Sequence, residues 1–271
     1  MKNNEQAPRP TDSKDFDKKR TWYSPVAEIY YNARPAYPEL QINRAVALAQ
    51  LSSEASVLEI GSGPGNATVA FAQNGFLMTC LEPNPDFCQV AQRNCAGYPN
   101  VEVCNTTFEE WQLKERQFDA VLSANSFHWI SAEIKYVKAA EALHDNGFLI
   151  LLWNMTPEPS YEVYQAIKEI YQTHAPSLVR YDGAETQAEI LKGFGQEMQD
   201  SGYFRNLVME KILCNVTYSI DQYLNLLSTL RRLEPQVKDL LFAGLREKLK
   251  PFGDRIELSF LSAVHVAQKT R

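Results

Sequence analysis

Hydrophobic residues recur along this chain in two alternating rhythms. Short apolar runs of strand length occupy Val57 to Ile60, Phe76 to Leu81, Val101 to Cys104, Phe118 to Ala124 and Gly147 to Trp153. Between them lie stretches whose apolar positions fit helices: Asn66 to Gln73, Asp86 to Cys95 and Ala132 to Leu143. Gly75 follows the first helix at a position where helices commonly end. Strand and helix in strict alternation predict a parallel sheet with helices on both faces.

The flanks read differently. Met1 to Arg20 is polar and poor in apolar anchors, which predicts a disordered tail. Trp22, Tyr23, Val26, Tyr30 and Tyr31 predict an amphipathic helix with Pro25 in its first turn. Arg34-Pro35-Ala36-Tyr37-Pro38 stops it, because a residue before proline avoids the helical region. Leu40 to Leu51 predicts a second helix. After Trp153 the alternation lapses. Pro157 to Arg180 reads as a loop and a helix with Tyr161, Tyr164 and Tyr171 on its faces; Ile190 to Asp200 reads as a short helix. Leu207 to Val216 and Ile256 to Ala267 read as strands, with helices at Ile220 to Leu230 and Pro235 to Leu249 between them.

The first strand runs into Glu59-Ile60-Gly61-Ser62-Gly63-Pro64-Gly65-Asn66, and a helix follows. In an open α/β sheet, ligands sit at the carboxyl end of such a strand. Glycine permits positive φ and lets a ligand lie against the backbone, and the N–H groups opening the next helix attract negative charge. A dinucleotide fingerprint requires a third glycine at position 66, but Asn66 stands there and Gly65 comes one residue early. Glu59, two residues before the first glycine, suits a ligand that carries cationic groups. Glu82 closes the second strand about twenty positions after the bend, where an acid accepts hydrogen bonds from ribose hydroxyls. Its alternative reading is a solvated turn acid.

The spacing E-x-G-x-G-x-G resembles the first motif of the class I S-adenosylmethionine (SAM)-dependent methyltransferases. That resemblance implies that Glu59, Gly61, Ser62, Gly63 and Gly65 hold the aminoacyl end of SAM. It also implies that Glu82, Pro83 and Asn84 wrap the ribose, and that Thr107 and Phe108 meet the adenine. Phe118-Asp119-Ala120-Val121 with Phe127-His128-Trp129-Ile130 resembles the fourth motif of the branch that includes trans-aconitate methyltransferases. There the backbone around Asn125, Ser126 and Phe127 faces the methionine part. His128 falls near the substrate in that pattern. It reads either as a catalytic proton acceptor or as a packing residue that shapes the pocket with Trp129. Ala27-x-x-Tyr30-x-x-x-Arg34-Pro35-x-Tyr37-Pro38 resembles the front helix of the same branch. Arg34 then binds a carboxylate, of SAM or of an acidic substrate, and Tyr30 offers an aromatic face to the sulfonium.

The implied fold is α/β: a Rossmann-like seven-stranded sheet, mostly parallel with an antiparallel last strand, helices on both faces and an added helical lid. The domain spans 21–271, with lid helices at 21–52 and helical additions at 154–206 and 219–250. The implied activity is methyl transfer from SAM to a small-molecule O, N or C nucleophile, a carboxylate among them, leaving S-adenosylhomocysteine.

Composition narrows this further. A net charge of −6 and the lack of any Lys/Arg-rich block disfavour nucleic acid as partner. Five cysteines, an odd number with no C-x-x-C, argue against a disulfide framework or a metal site. No apolar run reaches ~18 residues, and the N-terminus lacks a signal core, so a cytoplasmic protein without a membrane partner is expected. Two rivals stay open: a non-catalytic SAM-binding protein, and an NAD-dependent oxidoreductase, which Asn66 and Glu59 disfavour.

Overall fold

The computed structural model describes residues 21–113, 115–230 and 234–270. The expected disordered tail, 1–20, lies outside the described residues. Five strands run parallel: β1 (Ser56–Ile60), β2 (Leu77–Leu81), β3 (Val101–Cys104), β4 (Phe118–Ala124) and β5 (Leu143–Asn154). A two-residue β6 (Glu158–Pro159), β7 (Phe204–Ser219) and β8 (Arg255–Lys269) complete the sheet. The order is β3-β2-β1-β4-β5-β8-β6, with β7 also paired to β8. β8 runs antiparallel to both β5 and β7. This Rossmann-like mixed sheet with flanking helices and extra helical elements matches the expected fold, with eight strands rather than seven because the two-residue β6 pairs with β8.

Period-two alternation divides β1 between the two faces. Leu58 and Ile60 enter a core with Val121, Leu149 and Leu151, covered by Ala139 and Tyr136 of α5 (Lys135–Ala142) and by Leu191 and Met198 of α7 (Gly183–Asp200). Val57 enters the opposite core with Leu122 and Ile150, covered by Ile42 and Ala45 of α2 (Glu39–Leu48) and Phe71 of α3 (Asn66–Ala72). Burial on both faces is why the strands read as apolar runs rather than as alternating ones. A third cluster joins α6 (Tyr161–His174), α8 (Ile220–Ser228) and α9 (Pro235–Leu249) around Ile256 and Leu258 at the start of β8.

Local signals account for most of the boundaries. Asn84 caps α4 (Pro85–Asn94), accepting from the N–H groups of Asp86 and Phe87 at 2.9 and 3.1 Å. Ser219 and Gln222 form a capping box on α8. Several boundaries differ from expectation: β5 begins at Leu143 rather than Gly147, β7 runs Phe204–Ser219 rather than Leu207 to Val216, and two more concern helices. The front segment is a 3₁₀ turn at Ser24–Val26 followed by α1 (Ala27–Ala33), not one continuous helix. Helix α7 begins at Gly183, seven residues before the expected Ile190. Its first N–H groups are satisfied from a distance: the Glu158 carboxylate accepts from Asp182 N at 2.8 Å and Gly183 N at 2.9 Å. Among the described residues, no helix is long and apolar enough to cross a membrane.

Candidate active site

Strands β1, β2 and β4 end at one edge of the sheet. The chain leaves β1 and β4 on opposite sides of the switch in strand order, the place where open α/β sheets form a crevice. A cleft of about 460 Å³ opens there, within the range of small-molecule sites.

The glycine bend forms its floor. Gly61 and Gly63 have φ of +67° and +57°. A Cβ on Gly61 would lie 2.6 Å from the Ser126 Cβ, so the approach of β1 to the β4 loop requires glycine. A Cβ on Gly63 would meet nothing within 4 Å, and Gly63 lines the cleft: this backbone faces open space. Gly65 lies behind, against Ala91 of α4, and does not line the cleft.

Glu82 clamps the bend to the end of β2. Its carboxylate accepts from Gly63 N and from Asn84 N, each at 2.8 Å. The residue is only 5 % exposed. Burial pushes its pKa up to about 7, against the lowering effect of the two N–H bonds. Glu59 lies fully buried beneath the bend and outside the cleft lining. Its Oε2 accepts from the Thr68 hydroxyl of α3 at 2.6 Å, and its Oε1 has no hydrogen-bond partner. Burial raises its pKa to about 7, and the neighbouring Glu82 charge adds to the rise.

Thr107 and Phe108 form one wall. The Thr107 hydroxyl accepts from Glu110 N at 3.0 Å, and the Lys138 ammonium sits 5.1 Å from the Phe108 ring centroid. Pro83 and Asn84 line the same side. Opposite them, Asn125 holds φ +54° and exchanges two hydrogen bonds with the Asn154 backbone: Nδ2 donates to Asn154 O at 2.8 Å, and Oδ1 accepts from Asn154 N at 3.0 Å. The Ser126 hydroxyl donates to Ile60 O at 2.6 Å. Phe127, 2 % exposed, turns away from the cleft and packs on Tyr136.

Helix α1 closes the cleft from the front. Tyr30 packs edge-on against Phe87 of α4. The Arg34 guanidinium lies 5.0 Å from the Tyr30 ring and donates to the Thr229 hydroxyl and carbonyl, both at 2.8 Å. Asn154 donates to Pro35 O and Ala36 O at 3.2 Å, tying the lid's exit to the end of β5.

His128 opens onto the cleft beside Trp129, Trp153 and Phe194. Crowding by protein and the neighbouring Lys135 charge hold its pKa below the ordinary 6.5. The residue nevertheless remains solvent-exposed, so the lowering is a direction only.

The structure thus brings Tyr30, Arg34, Gly61, Ser62, Gly63, Glu82, Pro83, Asn84, Thr107, Phe108, Asn125, Ser126 and His128 around one cleft, and places Glu59, Gly65 and Phe127 behind its surface. Sequence reasoning missed Asn154, Trp153 and Phe194. Asn154 carries a signal in hindsight: it is the polar residue ending the apolar run of β5, as Asn125 follows β4. Phe194 carries none, because only the packing of α7 brings it there.

Three cleft-lining residues keep a buried polar atom without a partner: Ser62 Oγ, Asn66 Oδ1 and Asn154 Oδ1. Together with the open backbone at Gly63 and the carboxylate at Glu82, they fit a ligand with a cationic aminoacyl end and a ribose.

Residues 57–147 match the family described as Methyltransferase domain. An uncharacterized methyltransferase of Mycobacterium tuberculosis (strain ATCC 25618 / H37Rv) is 30 % identical over 129 residues, 48 % of this chain and 50 % of that protein. The match with that relative thus spans about half of each length. A methyltransferase-like protein of Schizosaccharomyces pombe (strain 972 / ATCC 24843) is 26 % identical over 259 residues, 92 % of this chain and 96 % of that protein. Among solved structures, the YcgJ protein from Bacillus subtilis superposes with a TM-score of 0.54 at 16 % identity, covering 86 % of this chain and all of that one. Phosphoethanolamine N-methyltransferase 2 of Haemonchus contortus, solved with phosphomonomethylethanolamine and S-adenosylhomocysteine, superposes with a TM-score of 0.54 at 16 % identity, covering 97 % of this chain and 61 % of that one. These two structures share the fold. The family match thus covers about a third of the chain, and the likeness to methyltransferases is carried by it and by these relatives.

Proposed function

We propose that this protein transfers the methyl group of SAM to a small-molecule nucleophile held in the cleft under α1. One observation carries the reading: the glycine bend, Glu82, the Thr107–Phe108 wall and the Asn125–Ser126 turn converge on a single cleft at the switch point of the sheet.

SAM, when bound, supplies an activated methyl on a sulfonium. This chain's residues have to hold it, orient an acceptor behind the methyl and exclude water. Glu82 keeps lone pairs for the ribose hydroxyls while both oxygens stay anchored by backbone N–H groups. Gly63 lets the aminoacyl end lie against the backbone. Thr107 and Phe108 flank the adenine. Arg34, whose hydrogen bonds go to neutral Thr229 atoms, keeps its charge for the SAM carboxylate or an anionic acceptor. Glu59 acts from behind, positioning the bend through α3. His128 lines the acceptor side, where it serves either as proton acceptor or as a packing residue beside Trp129. Orientation in a closed site supplies ~7–11 kcal/mol of barrier reduction, so a displacement on an activated methyl proceeds without an acid–base pair.

Titration calorimetry with SAM, followed by transfer of labelled methyl to a panel of small acids, amines and phenols, tests the reading. Binding with transfer supports it. Binding without transfer to any acceptor points to a SAM-binding protein without catalysis, and absence of binding refutes the reading outright.

A further inference from the structure

The cleft wall at Thr107 and Phe108 is built from neither helix nor strand. Residues 105–113, between β3 and β4, run as turns and irregular chain. Such a segment has to satisfy its backbone carbonyls outside any regular ladder. Two bonds close its turn on Thr107: Glu110 N donates to the hydroxyl and Trp111 N to the carbonyl, each at 3.0 Å. Three further carbonyls meet at a single atom. The Lys138 ammonium of α5 donates to Phe108 O at 2.5 Å, Trp111 O at 2.7 Å and Glu109 O at 3.1 Å. A lysine has three donors, and all three are committed here. The same ammonium sits 5.1 Å from the Phe108 ring centroid. The Glu109 carboxylate adds a second tie, accepting from Ser131 N at 3.3 Å.

A lysine on a helix usually reaches water or a carboxylate. Lys135, one turn earlier on α5, does the latter and pairs with Glu197 of α7. Lys138 instead spends its charge on backbone. Thr107, Phe108 and Glu109 line the cleft, and Lys138 does not. Thr107 and Phe108 are 6 % and 3 % exposed. Without the ammonium, three carbonyls need water at once, and reaching it means turning the segment that carries the wall. Bonds from an ionised donor are roughly twice as strong as neutral ones, so this anchor outweighs the two closing bonds on Thr107.

Resting on the methyl-transfer reading, we infer that Lys138 is the positioning residue for the nucleoside half of the cofactor. It acts through Thr107 and Phe108 and touches no ligand itself. Its compact ammonium suits three carbonyls converging on one point. Methionine keeps the stem of the side chain but no donor. Arginine keeps the charge but spreads its donors across a planar fork.

The test uses the full chain and titration calorimetry. SAM is titrated into the wild type first; absence of binding overturns the methyl-transfer reading, and this inference falls with it. Given binding, two probes follow: S-adenosylhomocysteine, and 5′-methylthioadenosine, which keeps the nucleoside but lacks the aminoacyl end. Lys138→Met is expected to weaken both by the same factor, roughly tenfold. In a Phe108→Leu background the same substitution should cost less than about threefold, because the ring it positions is already gone. A residue that only held the fold together would lower the melting temperature and leave both affinities, measured well below that temperature, unchanged. Should Lys138→Met fail to fold, Lys138→Arg decides: a loss of roughly threefold or more on both probes supports the inference, and wild-type affinity overturns it. Wild-type affinity of Lys138→Met for both probes, a loss confined to S-adenosylhomocysteine, or an undiminished loss in the Phe108→Leu background also overturns it.

Discussion

Replacing Glu59 by Gln makes a sharp prediction about stability and pH. Glu59 is fully buried, its Oε1 has no partner, and burial raises its pKa from the ordinary 4.5 to about 7. The folded state therefore binds a proton that the unfolded state has already lost between pH 4.5 and 7. Where the native state holds more protons than the unfolded state, stability falls as pH rises. The gap between 4.5 and about 7 corresponds to roughly 3 kcal/mol, absent below pH 4.5 and fully developed above pH 7. Glutamine has the same shape, keeps an oxygen to accept the Thr68 hydroxyl and carries no charge. Urea unfolding at pH 5, 6, 7 and 8 should show the two proteins near equal at pH 5. By pH 8, E59Q should be more stable by about 3 kcal/mol. A difference that does not change with pH, or a wild type that gains on the variant as pH rises, refutes the account of Glu59 as a buried acid without a counter-ion.

The remaining predictions concern the cleft. Glu82 has a pKa raised to about 7, so its ionised form, which serves a cationic ligand, fills in as pH rises through that value. SAM affinity should increase from pH 6 to 8, and calorimetry near pH 6.5 in buffers of different ionisation enthalpy should report proton release; proton uptake contradicts the role. Gly61→Ala forces a Cβ to 2.6 Å from Ser126 and should lower stability by roughly 2 kcal/mol or more. Gly63→Val meets no protein atom at its Cβ but is strained at φ +57°, so it should lose stability by roughly 1–2 kcal/mol as well as SAM binding; a wild-type dissociation constant removes Gly63 from the site. Asn125→Ala loses two hydrogen bonds and strains φ +54°, whereas Asn125→Gly loses only the bonds. Thermal melts should rank Gly above Ala by about 1 kcal/mol. His128→Gln should leave the shape of the pH–rate profile above pH 6.5 unchanged, because the histidine is already neutral there; loss of an acidic limb in the variant restores the base role.

The fold was legible because the central parallel strands β1 and β4 and the second half of β5 are largely buried on both faces, and amphipathic helices separate β1 from β2, β2 from β3 and β4 from β5. The bend was legible because positive φ at Gly61 and Gly63 demands a residue type that local sequence displays. What stayed hidden was set by distant parts of the chain. Helix α7 starts at Gly183, where Glu158 accepts its first N–H groups from β6; Asp182 at the N-cap and Glu185 three residues on were a start signal in the sequence, although the Asp182 side chain makes no cap bond. Glu59 was legible as an acid of the motif but not as one sealed beneath the bend. Its position on the face of β1 that meets α3, shared with Val57, decides that. Phe127 and His128 are adjacent in a 3₁₀ turn, so one points into the core and the other into the cleft. Adjacency alone did not say which. The aromatic side of the cleft needed Phe194, and a phenylalanine in the middle of an amphipathic helix looks the same whether it fills a core or lines a site.

A crystal structure of this protein soaked with SAM tests the central claim most directly. The account predicts density in the cleft under α1, with the ribose on the Glu82 carboxylate, the aminoacyl end along Gly61 to Gly63 and the methyl facing His128 and Phe194. A cleft left empty at saturating SAM, or SAM bound elsewhere on the protein, contradicts it.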